Sequence, residues 1–88
     1  MTAKRRRKLR LELFLSQNGS CALCQKDLPP LSLDRDQLEN PNQYPTLDHI
    51  IPTSKGGTNR VSNLQLVHNK CNNDKGDRIV EDTMGEET

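Results

Sequence analysis

Residues 46–76 read TLDHIIPTSKGGTNRVSNLQLVHNKCNNDKG, and this stretch decides the fold of the chain. The apolar run at 46–51 predicts a strand, and the alternation of apolar and polar residues at 63–67 predicts a half-buried strand that returns beside it. Two adjacent glycines supply turn residues for a long loop between the strands. The segment from Asn69 to about Ile79 suits a helix, so the stretch predicts a strand–strand–helix unit.

The remainder of the chain adds one clear element. From Ala3 to about Ser16, a helix-forming stretch rich in Arg and Lys places Leu9 and Leu13 at helical spacing, which predicts an amphipathic helix. Residues 21–28 look like a tight turn between two short extended pieces. Residues 29–45 contain prolines and scattered charge without periodicity, so they form either an ordered insertion or a mobile loop.

The composition leaves little apolar material for a core. The chain has 88 residues, of which 31% are hydrophobic, with one Phe, one Tyr and no Trp. A domain this small usually needs a disulfide, a metal or another staple, because it buries too little apolar surface to balance its chain entropy. Three cysteines cannot all pair, and no segment resembles a signal peptide or a membrane span. We therefore expect a metal-stapled domain in a reducing cytosolic compartment, with no membrane partner.

Two short pairs of cysteine and histidine residues flank the central region. Cys21 and Cys24 form C-x-x-C, and His68 and Cys71 form H-x-x-C. Three sulfurs and one imidazole nitrogen are typical of closed, tetrahedral structural zinc sites. We predict a structural Zn²⁺ on these four residues, with no open position for chemistry. A redox-active C-x-x-C is the alternative, which the lack of a βαβ pattern disfavours.

A second candidate site begins at Asp48 and His49, where the first predicted strand ends. An imidazole beside a carboxylate suits general-base chemistry next to a hard cation such as Mg²⁺ or Mn²⁺. Asn72 follows Cys71 directly, so a zinc ion would aim its amide oxygen toward a cation on Asp48. Asn63, at the start of the second strand, could orient the His49 ring or secure the loop.

The alternative is that His49 is an ordinary strand residue that packs against the hairpin. Neighbouring side chains in a regular strand face opposite ways. Asp48 and His49 can therefore serve one ion only if the strand twists locally or ends at this point. Pro52 and the loop that follows make such a departure credible.

Charge is distributed unevenly along a chain whose net charge is only +1. Six cations and no acid occupy the first ten residues: Lys4, Arg5, Arg6, Arg7, Lys8 and Arg10. A basic arm of this kind commonly binds phosphate backbones in a salt-dependent way, although a solvated helical face is the alternative. Residues 81–88 are acidic and are predicted to be a disordered tail.

The segment that was quoted first resembles the HNH endonuclease family. The family pattern joins a D-H-I-x-P strand, a Gly-Gly loop, an N-L-x-x-L strand and a helix start of the form C-x-x-C-[HN]-x-x-K. Residues 47–76 are similar to this pattern, with His68 in place of the third zinc cysteine, and residues 21–24 resemble the first zinc pair of many members. The resemblance implies a small α+β chain with a ββα-metal fold, an N-terminal helix and a structural zinc site.

The resemblance also implies a role for each matching residue. His49 would be the general base that activates water. Asp48 and Asn72 would hold the catalytic Mg²⁺ or Mn²⁺, and Asn63 would hold the loop that follows His49. Lys75 would neutralise a phosphate oxygen of the DNA. Many relatives have histidine where this chain has Asn72, so the chain would be an HNN variant whose amide oxygen can still bind a hard cation.

Together these expectations describe a metal-dependent DNA endonuclease that nicks as a monomer, with weak sequence preference because most contacts are to phosphates. We expect a basic arm at 1–20, an HNH domain at 21–80 with an insertion at 29–45, and a tail at 81–88. The protein would act alone or in a larger phage-packaging or restriction complex, in the cytoplasm of a bacterial or phage-infected cell. A catalytically silent zinc-stapled module that binds nucleic acid is the alternative. A zinc-stapled protein-interaction domain is a third interpretation.

Overall fold

The structure is a computed structural model that describes residues 2–76, and within this range it contains two helices and one antiparallel pair of strands. In chain order these elements are α1 (Ala3–Ser16), β1 (Pro45–His49), β2 (Leu64–His68) and α2 (Asn69–Lys75). Short 3-10 turns occupy 35–37, 41–43, 53–55 and 61–63. Helix α2 was expected to end near Ile79, but it ends at Lys75, where Gly76 takes a positive φ of 60°. The expected tail at 81–88 lies outside the described residues.

Helix α1 forms where the sequence predicts it. The Thr2 side chain accepts a hydrogen bond from the backbone N–H of Arg5 at 3.1 Å, which caps the first turn. Leu9 and Leu13 are buried on the face that packs against the sheet. Just past the last turn, Asn18 has a φ of 56°, a left-handed conformation that ends the helix.

The two strands pair with Asp48 opposite Gln65 and His49 opposite Leu64. The first strand is shorter than the predicted 46–51. Its ladder stops at His49 because the side chain of Asn63, rather than a strand, bonds both the N–H and the carbonyl of Ile51. The second strand is shifted one residue from the predicted 63–67. Buried apolar side chains from α1, the 20–28 segment and β2 form the core: Leu9, Leu13, Cys21, Leu28, Leu64, Leu66 and Val67.

The outer edge of β2 is paired at Leu66 by the Gln17 side chain and by the backbone N–H of Ala22 at 3.1 Å, rather than by a third strand. The amide of Gln17 accepts from Leu66 N at 2.9 Å and donates to Leu66 O at 2.9 Å. It also donates to Ser20 O at 2.7 Å. Because Leu66 is fully buried, these bonds satisfy backbone groups that water cannot reach.

Residues 29–45, which were predicted to form an insertion or a loop, include the 3-10 turns at 35–37 and 41–43. Two guanidinium groups lie over the Tyr44 ring, those of Arg10 at 5.4 Å and Arg35 at 5.3 Å from its centroid. The carbonyl of Tyr44 accepts from Asn69 N at 2.9 Å, at the start of α2. The insertion therefore contacts both helices.

The order β1–β2–α2 is the ββα unit that the sequence predicts, so the small α+β fold class is confirmed. Within residues 2–76, neither helix has the length and apolar character needed to cross a membrane.

Replacing Gln17 by Ala should destabilise the fold, because the buried N–H of Leu66 would lose its partner. We expect the free energy of unfolding to fall by about 1–3 kcal/mol, the cost of one orphaned buried donor. Urea unfolding measures this change. The matched control is Gln25→Ala, which removes an exposed amide that bonds Ala22 O and should cost less than about 0.5 kcal/mol. Equal losses in the two variants would contradict the proposed edge pairing.

Candidate functional site

The four predicted zinc ligands form one cluster. The ligand atoms of Cys21, Cys24, His68 and Cys71 all lie within 4.8 Å of one another. Nδ1 of His68 is 3.3 Å from Cys24 Sγ and 3.9 Å from Cys71 Sγ. Ligand atoms around a tetrahedral zinc lie about 3.5–3.8 Å apart, so the donor set and its spacing fit a zinc ion.

The imidazole of His68 is oriented by a hydrogen bond on its far side. Nε2 lies 3.0 Å from the backbone carbonyl of Asp27, to which it donates. A neutral imidazole has one N–H, so this bond leaves the Nδ1 lone pair facing the sulfurs. Metal-binding histidines are commonly held by such a bond.

The thiols of the cluster differ in how easily they ionise. Burial raises the pKa of Cys21, but the N–H groups of Cys24, His68 and Leu23 outweigh burial and lower it to about 7 from 9.0. Burial raises the pKa of Cys71 to about 12, together with hydrogen bonds to Cys24 and Cys21 and the charges on both. Without a cation, ionisation of Cys21 therefore disfavours ionisation of Cys71, and a bound cation would relieve that repulsion.

A separate cleft of about 280 Å³ lies between the end of β1 and α2. Asp48, His49 and Asn72 all line it, together with Lys75 and the turn that follows Pro52. The adjacent residues Asp48 and His49 both line the cleft, at the end of β1. Carboxylate and amide oxygens at one cleft fit a hard divalent cation.

Asp48 is buried and already has two partners. Its Oδ2 accepts from Gln65 Nε2 at 2.8 Å, and its Oδ1 is 3.3 Å from the ammonium of Lys75. An ionised carboxylate offers about four lone-pair sites, so these contacts leave sites for a cation on the cleft side.

The position of Lys75 differs from the one expected for a residue that contacts DNA. The sequence assigned this residue to a DNA phosphate, but its side chain is only 2% exposed and its ammonium also donates to the carbonyl of His49 at 3.0 Å. The last turn of α2 packs against β1, which directs the side chain inward. Lys75 therefore compensates the charge of Asp48 and joins α2 to β1.

Asn63 bonds both arms of the loop between the strands. Its amide nitrogen donates to the carbonyls of Ile51 at 3.1 Å and Thr58 at 2.8 Å, and its amide oxygen accepts from Ile51 N. The arms touch so closely that a Cβ on Gly57 would lie 1.7 Å from the Ile51 carbonyl oxygen. Asn63 does not line the cleft, so its contacts are with the loop that follows His49.

Two polar partners of the cleft residues were not predicted. Oδ1 of Asn59 lies 2.7 Å from Nε2 of His49, and Gln65 holds Asp48. The pairing of the predicted strands offered a signal for Gln65, because it is directly opposite Asp48. No comparable signal in the sequence pointed to Asn59.

The basic residues of α1 are not equally available to a ligand. The guanidinium of Arg10 lies over the Tyr44 ring, and Arg5 donates to the backbone carbonyl of Asn59 at 2.9 Å. Side chains of Arg5 and Lys8 share a shallow groove with Arg60, which extends the basic surface from α1 to the loop.

A model of the HNH endonuclease family matches residues 33–78, just over half of the chain. The chain belongs to the HNH endonuclease family. This HNH match contains the whole ββα unit and the cleft residues, whereas Cys21 and Cys24 precede it. Membership supports a nuclease or nucleic-acid-binding role. A search of curated proteins finds no match to the chain.

We expect the purified HNH protein to contain one zinc ion per chain, measured by elemental analysis. His68→Cys should retain the ion, because a thiolate can replace the imidazole, whereas Cys24→Ser should lose it. Loss should lower the melting temperature sharply, since structural zinc contributes about 10–16 kcal/mol of apparent binding free energy in zinc-finger peptides. Identical melting with and without a strong chelator would refute a structural role for the cluster.

Proposed function

We propose that this HNH protein is a metal-dependent endonuclease that hydrolyses phosphodiester bonds in DNA. The observation that supports this most strongly is the convergence of Asp48, His49 and Asn72 on one open cleft. A domain that only bound nucleic acid would have no need of a second, oxygen-rich cluster beside its zinc ligands.

His49 is the proposed general base. Its ring is half-buried at the cleft, where a water molecule can reach it, and the chain has no other histidine outside the zinc cluster. A neutral imidazole takes a proton from water as the oxygen attacks phosphorus. The His49 carbonyl is bonded by Lys75, so the backbone that presents the ring is held to α2.

Asp48 and Asn72 are the proposed ligands of the catalytic cation, Mg²⁺ or Mn²⁺. When bound, the cation would supply positive charge to the phosphate and to the leaving 3′ oxygen. Gln65 and Lys75 both bond the Asp48 carboxylate, so its orientation does not depend on the cation alone.

The basic surface of α1 is the proposed contact with the DNA backbone. Its exposed cations, with Arg60 on the neighbouring loop, would contact phosphates, and contacts to phosphates favour weak sequence preference. One cleft in the described part of the chain supports nicking by a monomer. The three free thiols support a reducing compartment such as the cytoplasm.

Replacing His49 by Ala should reduce kcat by about 10²–10⁴-fold, the usual contribution of a general base, without changing DNA affinity. Supercoiled-plasmid nicking in Mg²⁺ or Mn²⁺ gives the rate, and omission of the metal with added EDTA gives the background. Ser62→Ala, on an exposed turn outside the cleft, is the control. If wild-type protein binds DNA but never nicks it, the silent zinc-stapled module is correct.

Replacing Asn72 by His should preserve cleavage but change the metal that gives the highest rate, because imidazole and amide oxygen differ in metal preference. Asn72→Leu should lower the rate by about 100-fold or more, since a cation ligand worth several kcal/mol is lost. The neighbouring exposed Asn73 provides matched controls, Asn73→His and Asn73→Leu. Full activity of Asn72→Leu would exclude Asn72 as a ligand.

A further inference from the structure

Asn59 contacts His49 from the loop between the strands, and its Oδ1 lies 2.7 Å from Nε2 of the imidazole. We propose that Asn59 is a positioning residue that keeps the proton of His49 on Nε2 and leaves the Nδ1 lone pair to accept the proton of the attacking water. This inference rests on the proposed function, in which His49 is the base.

The chemistry of the contact decides the direction of the hydrogen bond. An amide oxygen only accepts, so the nitrogen that faces it must carry the proton. A neutral imidazole has one such proton, and the second nitrogen is then an acceptor. The same bond fixes the rotation of the ring about its Cβ–Cγ axis.

Asn59 is itself held in place through backbone groups. Its carbonyl accepts from Arg5 Nη2 at 2.9 Å, which joins the loop to α1. The preceding carbonyl, that of Thr58, accepts from Asn63 Nδ2 at 2.8 Å. The Gly57 N–H donates to Pro52 O at 2.9 Å, which closes the loop.

These contacts allow a positioning role of Asn59 to be distinguished from a purely structural one. In Asn59→Ala, the backbone bonds to Arg5 and to the loop remain possible, and only the side-chain contact with His49 is lost. The side chain is exposed, so its removal leaves no cavity in the core. A structural role alone would leave the ring of His49 unchanged.

The first test is nitrogen NMR of the two imidazoles in the zinc-loaded full chain, at a pH at which free imidazole is neutral. Wild-type protein and Asn59→Asp, which retains an acceptor oxygen, should show a protonated Nε2 and an unprotonated Nδ1 on His49. In Asn59→Ala the two nitrogen shifts should approach each other, as in an imidazole that exchanges tautomers in water. His68→Cys leaves a single histidine and assigns the signals.

The second test is the nicking rate of the same variants. Asn59→Ala should lower kcat by about 10–100-fold at unchanged KM, the usual effect of losing a group that orients a functional histidine. Asn59→Asp should restore most of the rate. Asn42→Ala, a matched change on an exposed turn away from the cleft, should have no effect.

The outcomes separate this inference from the proposed function. A wild-type His49 with its proton on Nδ1, or shifts that Asn59→Ala does not change, would overturn the positioning role. A fixed Nε2–H tautomer in a protein that never cleaves DNA would leave the contact standing and overturn the nuclease assignment instead.

Discussion

The junction between β2 and α2 determines where the candidate site lies. His68 is the last residue of the strand and immediately precedes the first turn of the helix, so no loop intervenes. Its Nδ1 faces the sulfurs of Cys24 and Cys71, which ties the junction to the turn at 21–24. Asn72 directly follows Cys71 and its position is set by the same cluster. The cleft therefore depends on the Cys/His cluster although the two share no ligand.

Helix α1 and strand β2 were predictable because the sequence patterns that indicate them are local. The spacing of Leu9 and Leu13 predicts α1, and the alternation at 63–67 predicts β2 to within one residue. The end of β1 was not predictable from local pattern. Ile51 has the propensity of a strand residue, but the Asn63 side chain takes both of its backbone groups. Tertiary hydrogen bonds, rather than propensity, set that boundary.

The candidate site was predictable only in part, for the same reason. The resemblance named Asp48, His49 and Asn72, and the structure brings them to one cleft. The partners that hold these groups depend on which segments meet in space. Lys75 matched a basic motif position and was assigned to a phosphate, yet the packing of α2 on β1 turns it onto Asp48. Asn59 contacts His49 from a position ten residues later in the chain, on a loop whose path no periodicity describes.

The two candidate metal sites differ in whether neighbouring protein groups compensate the charge of their ligand residues. At the cleft, the buried carboxylate of Asp48 is already compensated by the ammonium of Lys75 and a hydrogen bond from Gln65. A buried charge with such partners is stable without a further ion, so the cleft keeps its shape whether or not a divalent cation is present.

The cluster has no such internal compensation. Burial raises the pKa of Cys21, but backbone N–H groups bring it down to about 7, whereas burial, together with the hydrogen bonds and charges of Cys21 and Cys24, raises that of Cys71 to about 12. Only a bound cation allows several thiolates at this spacing, and the free energy of binding it then contributes to folding. The arrangement of charge thus favours a permanent ion at the cluster and an exchangeable one at the cleft. An ion bound at the cluster would hold the junction at His68.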